Sequence, residues 1–418
     1  MRKVVVSGMI GNGLEWYDYA LYGQVAWLLS RHFFPAGDAL AGMLAVYGVF
    51  AAGFFIRPLG AVFFGWLGDT YGRRISMVVA ILMMAIPTGM IGLLPTYAQV
   101  GIAAPILLTL IRLLQGMSLG GEFSGSIAYI VEHAPPHRRG IAGAASLVSM
   151  MLGFLLGIAV VKSLLAFMGP IAFEEWGWRI PFLLGIVIGF VGFYIRRHCG
   201  ESPTYEEAKA CGAICKTPVR EAFTRHPFAM LQGFAIYITV TMPFYLTTIY
   251  FIGFSKQHLQ LPADTALEMS IYNMLALLFI MPLSAWVSDH IGRRKVMVAS
   301  AVVMLLAVHP LFSLLVPGAP TATIALVQLT FAIILGFYVG PIAALLVELF
   351  PTSVRFTGMA IAYNVAAALF GGTSPMVCEW LVATFGDARA IAWYVIAGCT
   401  ASLTALGFYR ERYREALR

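Results

Sequence analysis

Apolar segments, each about as long as a lipid bilayer is thick, follow one another along this chain. A helix needs about 20 consecutive, mainly apolar residues to cross the hydrocarbon core, and such runs recur along the whole sequence. Hydrophobic residues make up 60% of the 418 residues and charged residues only 11%, against about 25% charged in a typical soluble protein. The sequence therefore predicts an all-α membrane protein.

Charge, proline and glycine divide these runs into twelve predicted transmembrane spans, in two groups of six. The first group is 4–30, 41–66, 75–95, 104–131, 141–168 and 178–197. The second group is 227–254, 265–287, 296–316, 321–347, 357–383 and 389–409. The only long polar segment lies between them. We therefore expect an N-terminal six-helix bundle (1–197), a central cytoplasmic linker (198–226) and a C-terminal six-helix bundle (227–418).

The distribution of positive charge predicts the orientation. Most of the 27 Lys and Arg, Arg196 among them, fall in the loops and helix ends on the same side as the N-terminus. Cytoplasmic loops carry such an excess, so both termini are expected in the cytoplasm, and the net charge of +7 reflects topology rather than a nucleic-acid partner. The first span follows Met1 almost directly and contains Glu15 and Asp18, so we expect no cleaved signal peptide.

One loop motif occurs once in each half. Asp69 precedes Gly72-Arg73-Arg74 between the second and third spans, and Asp289 precedes Gly292-Arg293-Arg294 between the eighth and ninth. The two aspartates are 220 residues apart. This repetition predicts two parallel, pseudo-symmetric bundles, related by an axis along the membrane normal.

A second repeated motif consists of a glutamate and an arginine seven residues later. It follows the fourth span as Glu132 and Arg139 and the tenth as Glu348 and Arg355, with a separation of 216 residues between equivalent positions. Charge pairs at these helix ends can form in one state of a two-state equilibrium and break in the other, although the arginines also act as topology signals. The sequence thus predicts a cytoplasmic gate: Asp69, Arg73, Glu132, Arg139, Asp289, Arg293, Glu348 and Arg355.

The two loops resemble the signature loop of the major facilitator superfamily, and Arg112-Leu113-Leu114-Gln115-Gly116 followed by Gly120-Gly121-Glu122 resembles its helix-4 motif. Further stretches are similar to the metabolite:proton symporter family: Gly11-Asn12-Gly13-Leu14-Glu15-Trp16-Tyr17-Asp18-Tyr19, Arg57-Pro58-Leu59-Gly60, Trp178-Arg179-Ile180-Pro181-Phe182 and Glu201-Ser202-Pro203. The resemblance covers most of the chain. It implies the superfamily fold and uptake, with a proton, of a small metabolite such as proline, betaine, α-ketoglutarate, citrate or shikimate.

Five charged residues lie deep within the predicted spans, well away from the span ends, and all are in the N-terminal half: Glu15, Asp18, Arg57, Arg112 and Glu122. A charge in the bilayer is costly, so each is a functional candidate. Proton coupling needs a carboxylate whose proton affinity changes with its surroundings. We predict Asp18 as the principal proton carrier, with Glu122 and Glu15 as further candidates. The alternative is a permanent network of ion pairs between helices.

The two arginines are predicted to dock the substrate. Arg112 and Arg57 keep their charge and can hold a carboxylate through paired hydrogen bonds, unless they pair permanently with the acids. The other predicted substrate-binding residues are aromatic or amide side chains in the spans of both halves: Tyr22, Gln115, Tyr245, Tyr272, Asn273, Tyr363 and Asn364.

Together these features predict a proton-coupled symporter of the bacterial inner membrane, working by alternating access as a monomer. The substrate is a small carboxylated metabolite such as an amino acid, a betaine or an organic acid. The expected partners are that substrate and the lipid bilayer, with the proton as coupling ion and no metal or other cofactor. A proton-antiporting exporter of metabolites or drugs is the alternative, and a transport-free sensor is a weaker one. An intramembrane enzyme is disfavoured because no His-Glu-x-x-His motif occurs in the sequence.

Overall fold

A computed structural model describes residues 2–34, 45–46, 48–49, 52–212 and 215–417. Within these ranges the chain is helical, without any β-strand. Two compact units can be distinguished. Unit 1 comprises Met1–His133, Ser149–Glu221 and Thr352–Ile361, and unit 2 comprises Ala134–Val148, Ala222–Pro351 and Ala362–Arg418. Each unit therefore contains most of one half of the chain and a short segment of the other half.

The long helices are numbered α1 to α12 in chain order. They are Arg2–Phe33, Arg57–Tyr71, Arg73–Leu93, Ala103–Glu132, Arg139–Ala172, Arg179–Arg197, Pro227–Gln257, Ala263–Ile291, Arg293–Phe312, Thr321–Leu349, Arg355–Phe385 and Arg389–Gly407. In the described part of the chain, ten helices, α3 to α12, are long and apolar enough to cross a membrane. Helix α1 has 32 residues. The predicted span 41–66 lies partly outside the described residues, and 52–55 are helical just before α2.

Three helices of the second half are interrupted. Helix α7 contains a π-turn at Leu246–Tyr250, shortly after Pro243, and α11 contains one at Ala367–Gly371. Helix α10 is broken between Val339 and Ile342, where Pro341 cannot donate a backbone hydrogen bond. Such irregularities are frequent at functional sites in helices.

Single glycines join α2 to α3 and α8 to α9. Gly72 has φ 116° and Gly292 has φ 104°, a region that favours glycine because a β-carbon would clash with the backbone. The chain therefore reverses within one residue, and α3 begins at Arg73 and α9 at Arg293. The two helices thus begin two and three residues before the approximate predicted spans, which start at 75 and 296.

Helices α2 and α4 approach closely at Gly120. A β-carbon at this position would lie 2.4 Å from the Ala61 nitrogen and 2.5 Å from the Arg57 carbonyl oxygen. Both are backbone atoms of α2, so neither can rotate aside. The small residues of the helix-4 motif thus permit the contact on which the positions of Arg57 and Arg112 depend.

The substitution Gly120→Ala is expected to lower the free energy of unfolding by about 1–3 kcal/mol, because the added methyl group forces α2 and α4 apart. The measurement is the thermal unfolding midpoint of the purified protein in detergent. Gly23→Ala is the control, since a β-carbon there meets no atom within 4 Å and alanine favours a helix. Equal midpoints for Gly120→Ala and Gly23→Ala would contradict the close packing.

The motif that opens α6 connects this helix to the end of α3 and to the middle of α1 in unit 1. The Arg179 guanidinium donates hydrogen bonds from Nη1 to the carbonyl oxygens of Gly92 (2.9 Å) and Leu94 (2.7 Å), which caps the end of α3. The Tyr17 hydroxyl of α1 donates to the carbonyl oxygen of Pro181 at 2.7 Å. These bonds fix α1 and α3, which carry parts of the site described next.

Candidate functional site

The centre of the site in unit 1 is an ion pair between α1 and α4. Arg112 Nη1 donates to Asp18 Oδ2 at 2.6 Å. Asp18 is 1% exposed and Arg112 5% exposed. A buried pair of this kind needs further hydrogen bonds to offset the loss of hydration. The sequence predicted both residues as functional, and the structure brings them together.

Two polar side chains complete the surroundings of the Asp18 carboxylate. Gln115 Nε2, one turn after Arg112 on α4, donates to Asp18 Oδ1 at 3.0 Å. It also lies 2.8 Å from Thr88 Oγ1 of α3, which is itself 3.1 Å from Asp18 Oδ1. Both Asp18 oxygens therefore have partners. Thr88 was not singled out from the sequence, because a lone threonine in an apolar span gives no signal.

Part of the Arg112 guanidinium has no hydrogen-bond partner among the described residues. Its Nε and Nη2 atoms are buried and find no acceptor in the described ranges, and Gln115 Oε1 is buried and finds no donor there. The guanidinium carbon lies 3.8 Å from the centre of the Tyr22 ring. Nε and Nη2 form the edge through which arginine holds a carboxylate with two parallel hydrogen bonds. This edge can therefore bind the carboxylate of an anionic or zwitterionic ligand, and the Gln115 oxygen can accept a hydrogen bond from a donor group of the same ligand.

A second buried ion pair joins α1 to α2. Arg57 Nη2 donates to Glu15 Oε1 at 3.0 Å, and both side chains are 1% exposed. The guanidinium also lies 4.9 Å from the Phe54 ring centre and 5.8 Å from that of Tyr19, distances suited to cation–π attraction. Glu15 Oε2 has no hydrogen-bond partner in the described part of the chain. None of the hydrogen bonds described for Glu15 and Arg57 involves Asp18 or Arg112.

A third pair involves a residue that the sequence had assigned to topology alone. Glu122 of α4 accepts hydrogen bonds from both terminal nitrogens of Arg196, one of them at 2.8 Å. Arg196, at the end of α6, also donates to the carbonyl oxygens of Met77 (2.6 Å) and Ser7 (3.1 Å). It is 1% exposed. These hydrogen bonds join α6 to α1, α3 and α4. The Arg196–Glu122 ion pair therefore stabilises helix packing, which is typical of a structural role.

In unit 2, Asn273 belongs to a chain of neutral hydrogen bonds. Its Nδ2 donates to Gln328 Oε1 at 3.2 Å, and Gln328 Nε2 donates to Ser255 Oγ at 2.9 Å. Gln328 follows Arg112 by 216 residues, the offset of the second repeat, so unit 2 has an amide where unit 1 has a charge. The adjacent Tyr272 is 56% exposed.

The other predicted residues of unit 2 are buried near helix interruptions. Tyr245 directly precedes the π-turn of α7 and is 7% exposed. Tyr363 packs edge-to-face on Tyr237, with ring centres 4.8 Å apart, and Asn364 is fully buried. Their part in substrate binding stays a prediction.

Four predicted gate residues meet in unit 1. Arg73 Nη2 lies 3.1 Å from Asp69 Oδ1, and Arg73 Nε lies 3.4 Å from Glu132 Oε2. Arg355 Nη1 donates to Glu132 Oε1 at 2.7 Å. All four side chains are buried. The fourth member is thus Arg355 of the second sequence half, and not Arg139, which follows Glu132 by seven residues.

The corresponding cluster in unit 2 contains the other four. Arg293 Nη1 donates to Asp289 Oδ1 at 2.7 Å, and Nη2 lies 3.3 Å from Glu348 Oε1. Arg139 lies close enough to Glu348 to interact with it electrostatically. It also donates to the carbonyl oxygen of Glu415 at 2.7 Å. Each cluster therefore combines three residues of one sequence repeat with the arginine of the other.

The motif aspartates also cap helices. Asp69 accepts backbone hydrogen bonds from Phe356 (3.2 Å) and Thr357 (2.8 Å), at the start of α11. Asp289 accepts them from Gly140 (2.8 Å) and Ile141 (2.9 Å), at the start of α5. A carboxylate in this position binds unpaired N–H groups and interacts favourably with the helix dipole. The two caps obey the pseudo-symmetry that the sequence repeats predict.

Comparison with known proteins settles the family. The family model described as Major Facilitator Superfamily matches residues 9–375. The chain belongs to this superfamily. It is therefore a multi-pass membrane transporter and not an enzyme, as the sequence predicted.

Named relatives of this superfamily member are transporters. It is 33% identical to a proline/betaine transporter of Salmonella typhimurium over 95% of this chain and 81% of that protein. It is 34% identical to the inner membrane metabolite transport protein YhjE of Escherichia coli, over 100% and 96% of the two chains. It is 32% identical to the shikimate transporter of Escherichia coli, over 97% and 94%. Its relatives therefore include proteins of a bacterial inner membrane.

Solved structures support the same fold. The proton:xylose symporter XylE of Escherichia coli, bound to 6-bromo-6-deoxy-D-glucose, superposes with a TM-score of 0.82 at 20% identity. The match covers 98% of this chain and 96% of that one. The superfamily fold predicted from the two loops and the helix-4 motif is confirmed.

Nothing in the sequence indicated that two further carboxylates, Glu201 and Glu411, lie beside the two loop clusters of this superfamily member. Glu201 accepts from the backbone nitrogen of Arg74 at 3.2 Å, and Glu411 accepts from those of Arg293 (3.2 Å) and Arg294 (2.8 Å). They cap α3 and α9 at the glycine turns. Burial raises the pKa of the Glu201 carboxyl, which the hydrogen bonds from backbone amides partly oppose. The two glutamates are 210 residues apart, an offset that differs from the 216 and 220 of the two repeats, so the repeats gave no signal for them.

Proposed function

We propose that this transporter is a proton-coupled symporter that imports a small carboxylated metabolite across the bacterial inner membrane by alternating access. The observation that carries the proposal is the buried Arg112 edge, Nε and Nη2, which has no acceptor among the described residues. A cation kept unsaturated in a buried site is expensive unless a ligand completes it. A substrate carboxylate is the matching acceptor.

The relatives narrow the substrate class. Proline, betaine and shikimate, the compounds in their names, each carry a carboxylate. For an amino acid, Gln115 Oε1 offers an acceptor for the ammonium group beside the Arg112 edge. We propose an amino acid, a betaine or an organic acid as substrate, with both chain termini in the cytoplasm and the monomer as the working form.

We propose Asp18 as the proton carrier because its charge is balanced by the same guanidinium that would bind the substrate. The ionised carboxylate holds Arg112 Nη1 at 2.6 Å. Protonation removes the negative charge and frees Arg112 to interact more strongly with a substrate carboxylate. Proton and substrate thus favour each other's binding, which is the thermodynamic requirement for symport. Glu15 remains a further candidate for the proton carrier. Glu122 is disfavoured in this role because it forms an ion pair with Arg196.

The first test is uptake into proteoliposomes with an imposed inward proton gradient. The compounds to compare are proline, glycine betaine, other amino acids, α-ketoglutarate, citrate and shikimate. Accumulation of one compound that a protonophore abolishes supports the proposal and identifies the substrate. If substrate instead leaves preloaded vesicles in exchange for entering protons, the protein is a proton-antiporting exporter.

We further propose that the capped helix ends act as a gate. Asp69→Asn is expected to speed hydrogen exchange at the Phe356 and Thr357 amides about threefold to thirtyfold, because a capping interaction is worth about 0.5–2 kcal/mol. Hydrogen-exchange mass spectrometry of peptides from this segment measures the effect, and the initial rate of uptake should change with it.

The pseudo-symmetric variant Asp289→Asn provides the matched control for Asp69→Asn. It should accelerate exchange at Gly140 and Ile141 and leave Phe356 and Thr357 as in the wild type. Unchanged exchange at its own capped amides in each variant would show that the aspartates do not hold these helix ends in solution.

A further inference from the structure

The Thr88 hydroxyl lies where three helices of unit 1 meet. Its Oγ1 atom is 3.1 Å from Asp18 Oδ1 of α1, 2.8 Å from Gln115 Nε2 of α4 and 2.8 Å from the carbonyl oxygen of Met84, one turn earlier on α3. The side chain is fully buried, with an exposure of 0%. The hydroxyl thus has three polar neighbours, one of which is the proposed proton carrier.

Packing fixes the position of this hydroxyl. A β-carbon at Gly185 of α6 would lie 2.7 Å from Thr88 Cγ2, so the methyl group of Thr88 occupies the space beside the glycine. Threonine carries its methyl and hydroxyl groups on the same carbon and has few favourable rotamers in a helix. With the methyl group held against α6, the hydroxyl keeps its place beside Asp18 and Gln115.

The single proton of this hydroxyl has two possible acceptors. A hydroxyl donates one hydrogen bond and accepts up to two, and the possible acceptors are the Met84 carbonyl oxygen and the Asp18 carboxylate. Gln115 Nε2 can only donate, so it occupies one lone pair of Thr88 Oγ1. When the Thr88 proton points to Met84, a second lone pair is available to Asp18 Oδ1. When it points to Asp18, the carboxylate receives a further donor.

The two arrangements match the two protonation states of Asp18. Its other hydrogen-bond partners in the described ranges, Arg112 Nη1 and Gln115 Nε2, are donors. They suit the ionised carboxylate but offer no acceptor for the proton of the neutral acid. Thr88 Oγ1 can accept a hydrogen bond from that proton while it donates its own proton to Met84. Of these three partners, only the hydroxyl serves both states.

We infer that Thr88 is a positioning residue, which accepts a hydrogen bond from Asp18 when that acid carries the coupled proton. The inference rests on Asp18 as the proposed proton carrier. On proton uptake an O–H bond forms at Asp18 Oδ1, while the Thr88 proton stays on its own oxygen and turns to the Met84 carbonyl. On release the hydroxyl turns back and donates to the carboxylate. Each protonation state of the buried acid is thereby hydrogen-bonded without movement of a heavy atom.

The charged surroundings of Asp18 do not depend on Thr88. Among the described residues, the charged or titratable groups that interact with Asp18 are Arg112 of α4 and Glu15 and Tyr17 of α1. Helix α3 contributes the neutral Thr88, and the arginines at the two ends of α6 have the other partners described above. A substitution that removes only the hydroxyl therefore leaves every charge near Asp18 in place.

The test is an infrared titration of the purified protein. The carbonyl stretching band of protonated Asp18 is the band that Asp18→Asn removes, and its intensity is followed against pH. Thr88→Val keeps the shape of the side chain and leaves no room for a water molecule in place of the hydroxyl. We expect its midpoint to fall by about one pH unit, a tenfold loss of proton affinity. The reason is that the neutral acid loses its acceptor, while the carboxylate keeps Arg112 and Gln115 as donors.

Two further readouts accompany the midpoint. In Thr88→Val the band should move to a higher wavenumber, as the carbonyl band of a carboxylic acid does when its O–H group loses an acceptor. In proteoliposomes, the pH at which uphill uptake is half-maximal should fall together with the infrared midpoint. A merely structural role of Thr88 would change neither the wavenumber nor the pH profile.

Other variants separate the hydroxyl from the packing. Thr88→Ser restores a hydroxyl and should return the midpoint most of the way to that of the wild type. Thr109→Val is the matched control and should titrate as the wild type, since Thr109 also donates to the carbonyl oxygen four residues earlier, at 2.8 Å, and has no acid among its described partners. If Thr88→Val does not fold, Thr88→Cys should still lower the midpoint, because sulfur is a weak acceptor.

Two outcomes would overturn the role of Thr88 alone. A midpoint that rises in Thr88→Val would show that the hydroxyl acts only as a donor to the ionised carboxylate. An unchanged midpoint would show that another atom accepts the proton, such as the Gln115 amide oxygen after rotation of its amide group. A wild-type spectrum without any band that Asp18→Asn removes would instead refute Asp18 as the proton carrier, and the role of Thr88 with it.

Discussion

Proteoliposomes that contain Asp18→Asn are expected to accumulate no substrate against its gradient, even with an inward proton gradient. Asparagine keeps the size and a hydrogen-bond acceptor for Arg112 but cannot take up or release a proton. The site is then held in a state like that of the protonated acid, in which substrate binds and crosses without a coupled proton. Uphill uptake should fall to the level of empty vesicles, while exchange of labelled for unlabelled substrate continues.

The comparison variants for this prediction are Glu122→Gln and Glu15→Gln. Glu122→Gln removes the ion pair with Arg196 and should lower the thermal unfolding midpoint. The protein that remains folded should still couple substrate uptake to protons. Glu15→Gln tests the remaining candidate, whose Oε2 has no hydrogen-bond partner in the described part of the chain. Uphill accumulation that survives in Asp18→Asn and disappears in Glu15→Gln would transfer the role of proton carrier to Glu15.

The buried acids and bases of unit 1 illustrate how far the sequence leads. A charged residue within an apolar span stands out, so Glu15, Asp18, Arg57, Arg112 and Glu122 were all found. Their pairing was left open, since any acid of α1 can reach more than one arginine. The structure decides it by the helix contacts, which place Arg112 against Asp18 and Arg57 against Glu15.

Arg196 shows why the partner of Glu122 was missed. An arginine at the end of a span counts toward the positive-inside bias whether its side chain lies in water or turns back among the helices. Only the packing of α6 against α1 and α3 shows that its donors are used by Glu122, Ser7 and Met77.

The loop clusters illustrate the same limit at the helix ends. The repeats predicted the eight residues and their equivalence between halves, because equal offsets are visible in one sequence. The sequence did not show which arginine joins which cluster, because a spacing along the chain does not reveal which helix ends meet in the fold. Instead Glu132 pairs with Arg355, a contact between residues 223 positions apart that no local pattern encodes.

Arg112→Lys is expected to weaken substrate binding about tenfold to a hundredfold, while the protein remains folded. Lysine keeps the positive charge opposite Asp18, so the buried carboxylate is not left unpaired. It lacks the Nε–Nη2 edge, however, and cannot hold a carboxylate through two parallel hydrogen bonds. Hydrogen bonds to charged groups are worth about 1.5–3 kcal/mol, which corresponds to this loss of affinity. The measurement is equilibrium binding of the compound identified by the uptake assay.

Arg57→Lys distinguishes a loss of substrate contact from a general loss of charge geometry. Arg57 is occupied by Glu15 and by the rings of Phe54 and Tyr19, so its replacement should change substrate affinity much less than Arg112→Lys does. A hundredfold loss in Arg57→Lys with normal affinity in Arg112→Lys would move the substrate carboxylate to the α1–α2 pair. Because both variants keep the positive charge and differ only in which guanidinium is lost, the ratio of their affinities identifies the arginine that binds the substrate.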